Sequence, residues 1–336
     1  MKKEAYLYDR HERGEVTCKT CQRRCIIPPG KFGWCRTRKN ENGILYSLIY
    51  GEVSSLSINP IEKKPVYHFY PGSSWLSLGS LGCNFRCPGC QNWEIAHWQE
   101  GRMATTYLSP EKSVAEAKEH GCKGISWTFN EPALWFEYTL DAAKLAKQQG
   151  LLTNYVTNGF ITPEAFEQLM PYLDVYRVDI KGFSDSTYQK TGHHKGWKGV
   201  LSVTQKAKEY GVHVEVVTNV IPGFNDNHAE LQDIALWIRD RLGPDTPWHV
   251  TRFFPHHQLH HLSATPMAKL EEARHIGKDA GLWYVYLGNV PGHQWENTFC
   301  HNCETLLIER YLFDILKNRI KDGKCPHCGE QIPGRF

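Results

Sequence analysis

A loop with three closely spaced cysteines is the clearest candidate for chemistry in this sequence. Cys83, Cys87 and Cys90 have the spacing C-x-x-x-C-x-x-C and follow a short apolar run at residues 75–78 and a Gly-Ser-Leu-Gly turn. An iron–sulfur cluster held entirely by protein needs four thiolates, whereas this loop supplies three and leaves one iron open to another ligand. Because an open position distinguishes a catalytic metal centre from a structural one, the loop predicts a catalytic iron–sulfur site.

A second cysteine motif lies near the N-terminus and has the spacing C-x2-C-x3-C-x9-C, with prolines and glycines bending the chain before its last member. Its members are Cys18, Cys21, Cys25 and Cys35. Four thiols this close together predict a closed four-thiolate metal site rather than unrelated reduced cysteines. Zinc and an iron–sulfur cluster both accept this arrangement, so both stay open, with a slight preference for zinc.

Two C-x-x-C motifs stand near the C-terminus, separated by twenty-one residues. They consist of Cys300, Cys303, Cys325 and Cys328. Paired motifs at this distance predict a zinc ribbon with a structural role, and rubredoxin-type iron is the alternative. The remaining cysteine, Cys122, has no partner in the sequence and is predicted to pack in the core.

The elements that must position these motifs alternate between β-rich runs and helical patterns from about residue 74 onward. Strands are predicted at residues 75–78, 124–129, 153–157, 175–180, 213–219, 249–254 and 283–287. Helices are predicted to begin at Ser109-Pro110, Thr162-Pro163 and Thr265-Pro266, and the first and last of them to end at Gly121 and Gly281. This alternation predicts a parallel barrel or a doubly wound sheet, with function on the loops after the strands' carboxyl ends.

Polar residues do follow successive predicted strands, where such a site should form. After the cysteine loop they include Asn130 and Glu131, then Thr157, Asn158 and Gly159, then Asp179 and Lys181, then Asn219 and Val220, and finally Arg252 and His256. Each alone would be an ordinary cap or turn residue, but the convergence of six loops favours a site. Five histidines, at positions 249, 256, 257, 260 and 261, either line a substrate pocket or form a solvated loop.

Composition limits the class of protein. A chain of 336 residues with 41% hydrophobic and 22% charged residues suits one large α/β domain with additions, or two to three smaller domains. The balance of 39 basic against 36 acidic residues gives no support for a nucleic-acid or membrane surface. Since no signal-peptide or membrane-spanning pattern occurs, we expect a cytoplasmic protein, in which twelve cysteines indicate metal ligands rather than disulfides.

The segment CNFRCPGCQN resembles the cluster-binding loop of the radical S-adenosylmethionine (SAM) enzymes, in particular the pyruvate formate-lyase activase branch of that superfamily. The segments SWTFNEP, VIPGFND, WHVTRFFP, YVYLGNVPG and CHNCETLLIER resemble, more narrowly, the radical SAM member of the AmmeMemoRadiSam system. The resemblance implies an α/β fold, a partial (β/α)6 TIM-like barrel with small four-cysteine metal-binding extensions at its N- and C-terminal ends. The implied domains are an N-terminal extension at 1–72, the barrel at 73–290 and a zinc-ribbon-like module at 291–336.

The resemblance also implies ligands. Cys83, Cys87 and Cys90 would hold a [4Fe-4S] cluster whose open iron binds the amino and carboxylate groups of SAM, and Glu131 would bind the methionyl ammonium. The other implied SAM contacts are Asn130, Thr157, Asn158, Gly159, Asp179, Lys181, Asn219 and Val220. Relatives usually have an aromatic residue before the third cysteine, where this sequence has Gly89, so the contact with adenine is unassigned.

The implied reaction is reductive cleavage of SAM to methionine and a 5'-deoxyadenosyl radical, which abstracts hydrogen from a small molecule or from a glycyl residue of a partner protein. His249, Arg252 and His256 are the candidates for substrate chemistry. The resemblance further implies a flavodoxin- or ferredoxin-like electron donor and association with Memo-type and AMMECR-type proteins. The alternative function is a zinc-ribbon binding or scaffold module on a catalytically silent barrel, which the presence of Glu131 and Asp179 disfavours.

Overall fold

The computed structural model describes residues 1–99 and 103–336. The strands are β1 Lys3–Glu4, β2 Tyr8–Arg10, β3 Val16–Cys18, β4 Ile26–Ile27, β5 Arg38–Glu41, β6 Ile44–Ser47, β7 Glu52–Val53, β8 Ser55–Pro60, β9 Ser74–Gly79, β10 Thr106–Tyr107, β11 Gly124–Trp127, β12 Leu152–Thr157, β13 Val175–Asp179, β14 His213–Val220, β15 Trp248–Arg252, β16 Val285–Gly288, β17 Thr298–Phe299, β18 Leu306–Tyr311 and β19 Asp314–Asn318. The helices are α1 Trp93–Ala96, α2 Pro110–Glu119, α3 Phe136–Gln148, α4 Pro163–Leu169, α5 Asp185–Gly192, α6 Trp197–Glu209, α7 His228–Trp237 and α8 Met267–Asp279. Across these described ranges, no helix has both the length and the apolar character needed to cross a membrane.

The chain forms two compact units, each assembled from three segments. The first unit contains Met1–Asn59, Ser74–Tyr176 and Lys198–Val212. The second contains Pro60–Ser73, Arg177–Trp197 and His213–Phe336. The chain passes from one unit to the other within β13. The three domain ranges inferred from the sequence follow the motifs rather than these units, and they stay a prediction.

Three parallel strands form the centre of the first unit. β11 lies between β9 and β12, and its last residue, Trp127, pairs with Leu78 on one side and Tyr155 on the other. Every residue of β11 is buried, as expected for a parallel strand covered on both faces. Because the three strands run in register, the loops at their carboxyl ends leave from the same edge. The strands predicted here are confirmed, although β11 ends two residues earlier than expected.

The helix starts of this unit follow the predicted capping chemistry. Ser109 accepts a hydrogen bond from the backbone N–H of Lys112, and Thr162 accepts one from Ala165, with proline at the first helical position in both cases. Gly121, with a φ of 62°, follows the end of α2 as predicted. Local sequence therefore sets where α2 and α4 begin.

The second unit contains another run of parallel strands, β14, β15 and β16, with α7 and α8 among its helices. These strands confirm the three that were predicted at residues 213–219, 249–254 and 283–287. Each observed strand end lies within two residues of the predicted one. One predicted cap is wrong, because Thr265 does not cap α8. Its hydroxyl accepts from Phe253 N and donates to Val220 O, and Pro266 occupies the cap position instead. Tertiary hydrogen bonds therefore use the Thr265 hydroxyl that the local sequence predicted as a helix cap.

Each unit also carries a small antiparallel sheet next to a four-cysteine motif. In the first unit, β2, β3 and β4 pair in that order, and Cys18 is the last residue of β3. In the second unit, β17, β18 and β19 pair likewise, and Cys300 directly follows β17. The motifs are therefore anchored to short hairpins rather than to isolated loops.

Candidate functional site

The three-cysteine loop leaves the carboxyl end of β9 and is fixed immediately before its first thiol. The Asn130 side chain accepts from Ser80 N (3.0 Å) and donates to Gly82 O (2.9 Å). Gly82 has a φ of 82°, and a Cβ there would lie 2.5 Å from Thr37 Cγ2 and 3.1 Å from the Cys35 carbonyl. Only glycine tolerates both the positive φ and the close approach of Thr37 and Cys35 at this position. Asn130, which the sequence predicts to contact SAM, therefore uses its side-chain amide to hold the backbone that positions Cys83.

The thiols of this loop have surroundings that suit metal ligands. Phe85 N donates to Cys83 Sγ at 3.3 Å, and Cys90 N donates to Cys87 O at 3.2 Å, which closes a turn between the second and third thiols. Burial away from water raises the pKa of the Cys83 thiol well above its usual value, and the negative charge of Glu131 raises it further. Coordination to iron deprotonates a thiol outright, so a cluster would offset this penalty. Three thiols on one loop, with an N–H donor at Cys83, therefore fit the cluster that the sequence implies.

Glu131 is a buried carboxylate at the carboxyl end of β11 and is 1% exposed. Its Oε1 accepts from Thr157 Oγ1 (2.7 Å) and from Ala133 N (3.0 Å), and its Oε2 accepts from Asn158 N (2.8 Å). The same side chain caps the short helical turn Pro132–Trp135. Glu131 therefore joins the loop after β11 to the loop after β12.

Two asparagines continue this connection to the cysteine loop. Asn158 Nδ2 donates to Asn84 Oδ1 at 2.7 Å and lies 3.7 Å from Cys83 Sγ. Asn84 is fully buried, and its Nδ2 lies 3.4 Å from Phe160 O. The structure thus links the predicted residues Cys83, Glu131 and Asn158 within one unit. Sequence reasoning did not single out Asn84, although its place directly after the first cysteine was a signal.

The loop after β12 completes this edge of the first unit. Gly159 has a φ of 73°, and its N–H donates to Thr157 Oγ1 at 3.0 Å. Phe160 N donates to Asn158 Oδ1 at 3.0 Å. Thr157, Asn158 and Gly159 therefore form a tight turn whose polar atoms are held by one another and by Glu131.

The second unit carries the remaining predicted SAM contacts. Asp179 pairs with Lys181 Nζ at 3.2 Å and with Arg177. Burial opposes the charged form of Asp179, but the two cations prevail and lower its pKa below the usual value. Asn225, which sequence reasoning did not assign, donates from Nδ2 to Lys181 O (2.9 Å) and to Asn219 O (3.0 Å). The Pro-Gly-Phe-Asn-Asp segment that contains it was the available signal.

Val220 and the three candidates for substrate chemistry also lie in this unit, in different surroundings. Val220 is buried, and its carbonyl accepts from Thr265. His249 is 1% exposed and its Nε2 lies 2.6 Å from Glu215 Oε2. Arg252 donates from Nε to Thr265 O at 2.9 Å, whereas His256 is exposed. The three candidates therefore have different partners and different degrees of burial, and their roles stay a prediction.

The C-terminal four cysteines converge on one point. The sulfur atoms of Cys300, Cys303, Cys325 and Cys328 all lie within 4.8 Å of one another. The Cys300–Cys328 and Cys303–Cys325 sulfur distances are 3.6 Å and 3.7 Å. Leu307, Ile308 and Ile332 pack around them as a small core. This arrangement can hold one tetrahedral metal ion in a closed, structural site.

The N-terminal four cysteines have a different arrangement. They line one recess, together with Arg23, Trp34, Arg38 and Leu134. Cys18, Cys21 and Cys35 are buried, whereas Cys25 is half-buried. The recess lies in the same unit as the three-cysteine loop, and Asn84 of that loop forms part of its wall.

Comparison with known proteins gives this arrangement a context. Residues 78–238 match the model of the radical SAM superfamily. The chain is 41% identical, over 98% of both chains, to an uncharacterized protein of Methanocaldococcus jannaschii. It is also 26% identical to the pyruvate formate-lyase-activating enzyme of Clostridium pasteurianum, over 47% of this chain and 67% of that enzyme.

A solved structure shows the same fold at low identity. A radical SAM methyltransferase from Sphaerobacter thermophilus superposes with a TM-score of 0.51 and 15% identity, over 65% of this chain and 67% of that one. The predicted α/β class is thereby confirmed.

Proposed function

We propose that this chain is a radical SAM oxidoreductase that cleaves SAM reductively at a [4Fe-4S] cluster held by Cys83, Cys87 and Cys90, since residues 78–238 match the model of that superfamily. Members of this superfamily are enzymes that use such a cluster and SAM. The observation that carries the proposal is the buried hydrogen-bond chain from Glu131 through Asn158 to Asn84, next to Cys83. It places a carboxylate and three thiols at one edge of one unit.

The cluster and SAM would supply the chemistry, an electron and a 5'-deoxyadenosyl radical that takes hydrogen from the substrate. The protein's own residues bind and orient. Three thiolates leave one iron open, and Glu131 would accept a charge-assisted hydrogen bond from the methionyl ammonium. Asn130 acts indirectly, since its amide holds the backbone before Cys83.

The other predicted SAM contacts belong to the same proposal. Thr157, Asn158 and Gly159 offer hydroxyl, amide and backbone groups beside Glu131. In the second unit, Asp179 and Lys181 form an ion pair, and Asn219 and Val220 end β14. Such side chains and backbone atoms are suited to hydrogen bonds with the ribose hydroxyls, the carboxylate and the adenine edge of SAM.

We infer that the hydrogen donor is a glycyl residue of a partner protein or a small molecule, and the sequence likeness to an activating enzyme supports the first. A flavodoxin- or ferredoxin-like protein would supply the electron. Membership of the AmmeMemoRadiSam system, with Memo-type and AMMECR-type partners, rests on the sequence resemblance alone. We propose zinc for the C-terminal site, because its sulfur spacing suits one tetrahedral ion.

The decisive experiment is an assay for 5'-deoxyadenosine after anaerobic cluster reconstitution and reduction in the presence of SAM. The unsubstituted protein is expected to form it, and Cys87→Ala is expected to form none above background. Cys122→Ala is the matched control, because it also removes one thiol but lies outside all three cysteine motifs. Equal, background-level product from the unsubstituted protein and Cys87→Ala would reject the enzymatic function.

A further inference from the structure

The two four-cysteine sets differ in how closely the fold gathers their thiols. From this difference we propose that the N-terminal set, Cys18, Cys21, Cys25 and Cys35, holds a second iron–sulfur cluster rather than zinc. The proposed reaction does not require it, because that reaction uses the cluster at the three-cysteine loop. The sequence alone accepted either kind of centre and slightly favoured zinc.

Zinc geometry separates the two sets. A zinc ion holds thiolates at about 2.3 Å, which places neighbouring sulfur atoms about 3.8 Å apart. The C-terminal pairs, at 3.6 Å and 3.7 Å, match this spacing. Within residues 1–99 and 103–336, that set alone has all its ligand atoms within 4.8 Å of one another. The described N-terminal thiols are not gathered in this way, so one zinc ion would require them to move closer together.

The N-terminal thiols instead surround a space. All four thiols line one recess. Ile27, Trp34 and Leu134 complete a largely apolar wall. A four-iron cluster carries its thiolates on the outside of a cube of iron and sulfide, so it needs separated thiols around a space. Among the described residues, these four thiols line a recess without converging on one point, and that arrangement suits a cluster better than a single ion.

A hydrogen-bond donor contacts one of the sulfur atoms, since Thr37 Oγ1 donates to Cys35 Sγ at 3.2 Å. Backbone N–H groups lie near the other three, at Thr20 for Cys18, Arg23 for Cys21 and Trp34 for Cys25. Such bonds stabilise negative charge on metal-bound sulfur and tune the potential of a cluster. The set is therefore built for metal-bound thiolates rather than for four inert thiols.

The second cluster would lie beside the first. Arg23 Nε donates to Asn84 O at 2.6 Å, and Asn84 contributes to the wall of the recess. Arg86 of the cysteine loop donates to Trp34 O at 3.3 Å. The residue that follows Cys83 thus separates the two sites, which places both clusters in the first unit.

The test is metal and sulfide analysis of a variant that lacks the first cluster, Cys83→Ala/Cys87→Ala/Cys90→Ala, after anaerobic reconstitution. We expect this variant to retain about four iron and four sulfide per chain, with a reduced-cluster signal in electron paramagnetic resonance. Its zinc content should be about one per chain, from the C-terminal site. Background iron together with about two zinc per chain would overturn the proposal.

Two controls make the result independent of folding and of catalysis. Adding Cys18→Ala and Cys21→Ala to the triple variant should remove the remaining iron and leave the C-terminal zinc in place. The unsubstituted protein should contain about eight iron, four more than the triple variant. Iron retained by the triple variant supports the second cluster even if no 5'-deoxyadenosine is formed, so the two proposals can fail separately.

Discussion

At the scale of single residues, Glu131 shows how one carboxylate can serve two purposes. It receives hydrogen bonds from Ala133, Thr157 and Asn158, so it holds two loops before any ligand binds. The sequence predicted its importance from the Phe-Asn-Glu-Pro segment at the end of a strand. It could not predict the link through Asn84, because Asn158 lies 74 positions away from that residue.

Replacing Glu131 with glutamine tests its role at nearly constant size. The amide N–H of glutamine would face hydrogen-bond donors that the carboxylate now accepts from. Leaving a buried donor without an acceptor in this way costs about 1–3 kcal/mol. We expect 5'-deoxyadenosine formation to fall roughly ten- to hundredfold, with iron content unchanged. Glu116→Gln, on the exposed side of α2, is the control and should change neither quantity. An unaltered rate for Glu131→Gln would contradict a role in binding SAM.

Gly82 tests how closely the N-terminal region packs against the cysteine loop. In Gly82→Ala, the new Cβ meets Thr37 Cγ2 at 2.5 Å, and the φ of 82° adds backbone strain. Gly121→Ala is a matched control, because its φ is also positive but its Cβ meets nothing within 4 Å. Both changes should cost about 1 kcal/mol in strain, and only Gly82→Ala should also lose iron from the three-cysteine loop. Iron analysis and thermal unfolding would distinguish them, and equal behaviour would show that the contact is unimportant.

At the scale of elements, a buried ion pair joins β5 to α3. Arg38 and Glu137 are each 1% exposed and form two hydrogen bonds of 2.9 Å and 2.8 Å. Burial opposes charge on the Arg38 guanidinium, yet the Glu137 carboxylate raises its pKa above the usual value. The sequence predicted α2 and α4 from local caps, but a pair 99 positions apart leaves no local pattern. The same limit applies to Thr265, whose tertiary bonds removed it from the predicted cap.

This pair predicts a strongly non-additive double-mutant cycle. Arg38→Met leaves the Glu137 charge buried without its cation and should lower the unfolding free energy by about 3–5 kcal/mol. Arg38→Met/Glu137→Leu removes both charges and should recover most of that loss. Denaturant unfolding under anaerobic conditions measures both. A double variant as unstable as the sum of its single variants would contradict the assignment.

At the scale of the whole molecule, contacts between distant parts of the chain hold each unit together. In the second unit, His68 Nδ1 lies 2.7 Å from Pro333 O, and His68 Nε2 lies 2.7 Å from Tyr286 OH. The α/β alternation and the cysteine motifs were predictable because they are periodic or local. A contact across 265 positions was not, since it depends on how the completed unit packs.

The buried His68 predicts how acid destabilises the protein. Burial lowers its pKa from 6.5 to about 4. Between these values the unfolded chain binds a proton that the folded chain excludes, so stability is complete above pH 6.5 and falls as the pH drops toward 4. The loss should reach about 3 kcal/mol. His68→Gln removes the titrating group, and comparing its pH profile with that of the unsubstituted protein cancels other acid-sensitive groups. Parallel profiles would contradict the prediction.

The spacing of the C-terminal thiols has a further consequence for handling the protein in air. Each close pair joins one cysteine of the first C-x-x-C motif to one of the second, at 3.6 Å or 3.7 Å. A disulfide needs a sulfur separation of about 2.0 Å, so only a small movement separates these pairs from oxidation once the metal has left. Two such crosslinks would preserve the shape of the module while abolishing its ability to take up metal again. A metal-free sample exposed to oxygen would then look folded and yet resist remetallation until a thiol reductant is added.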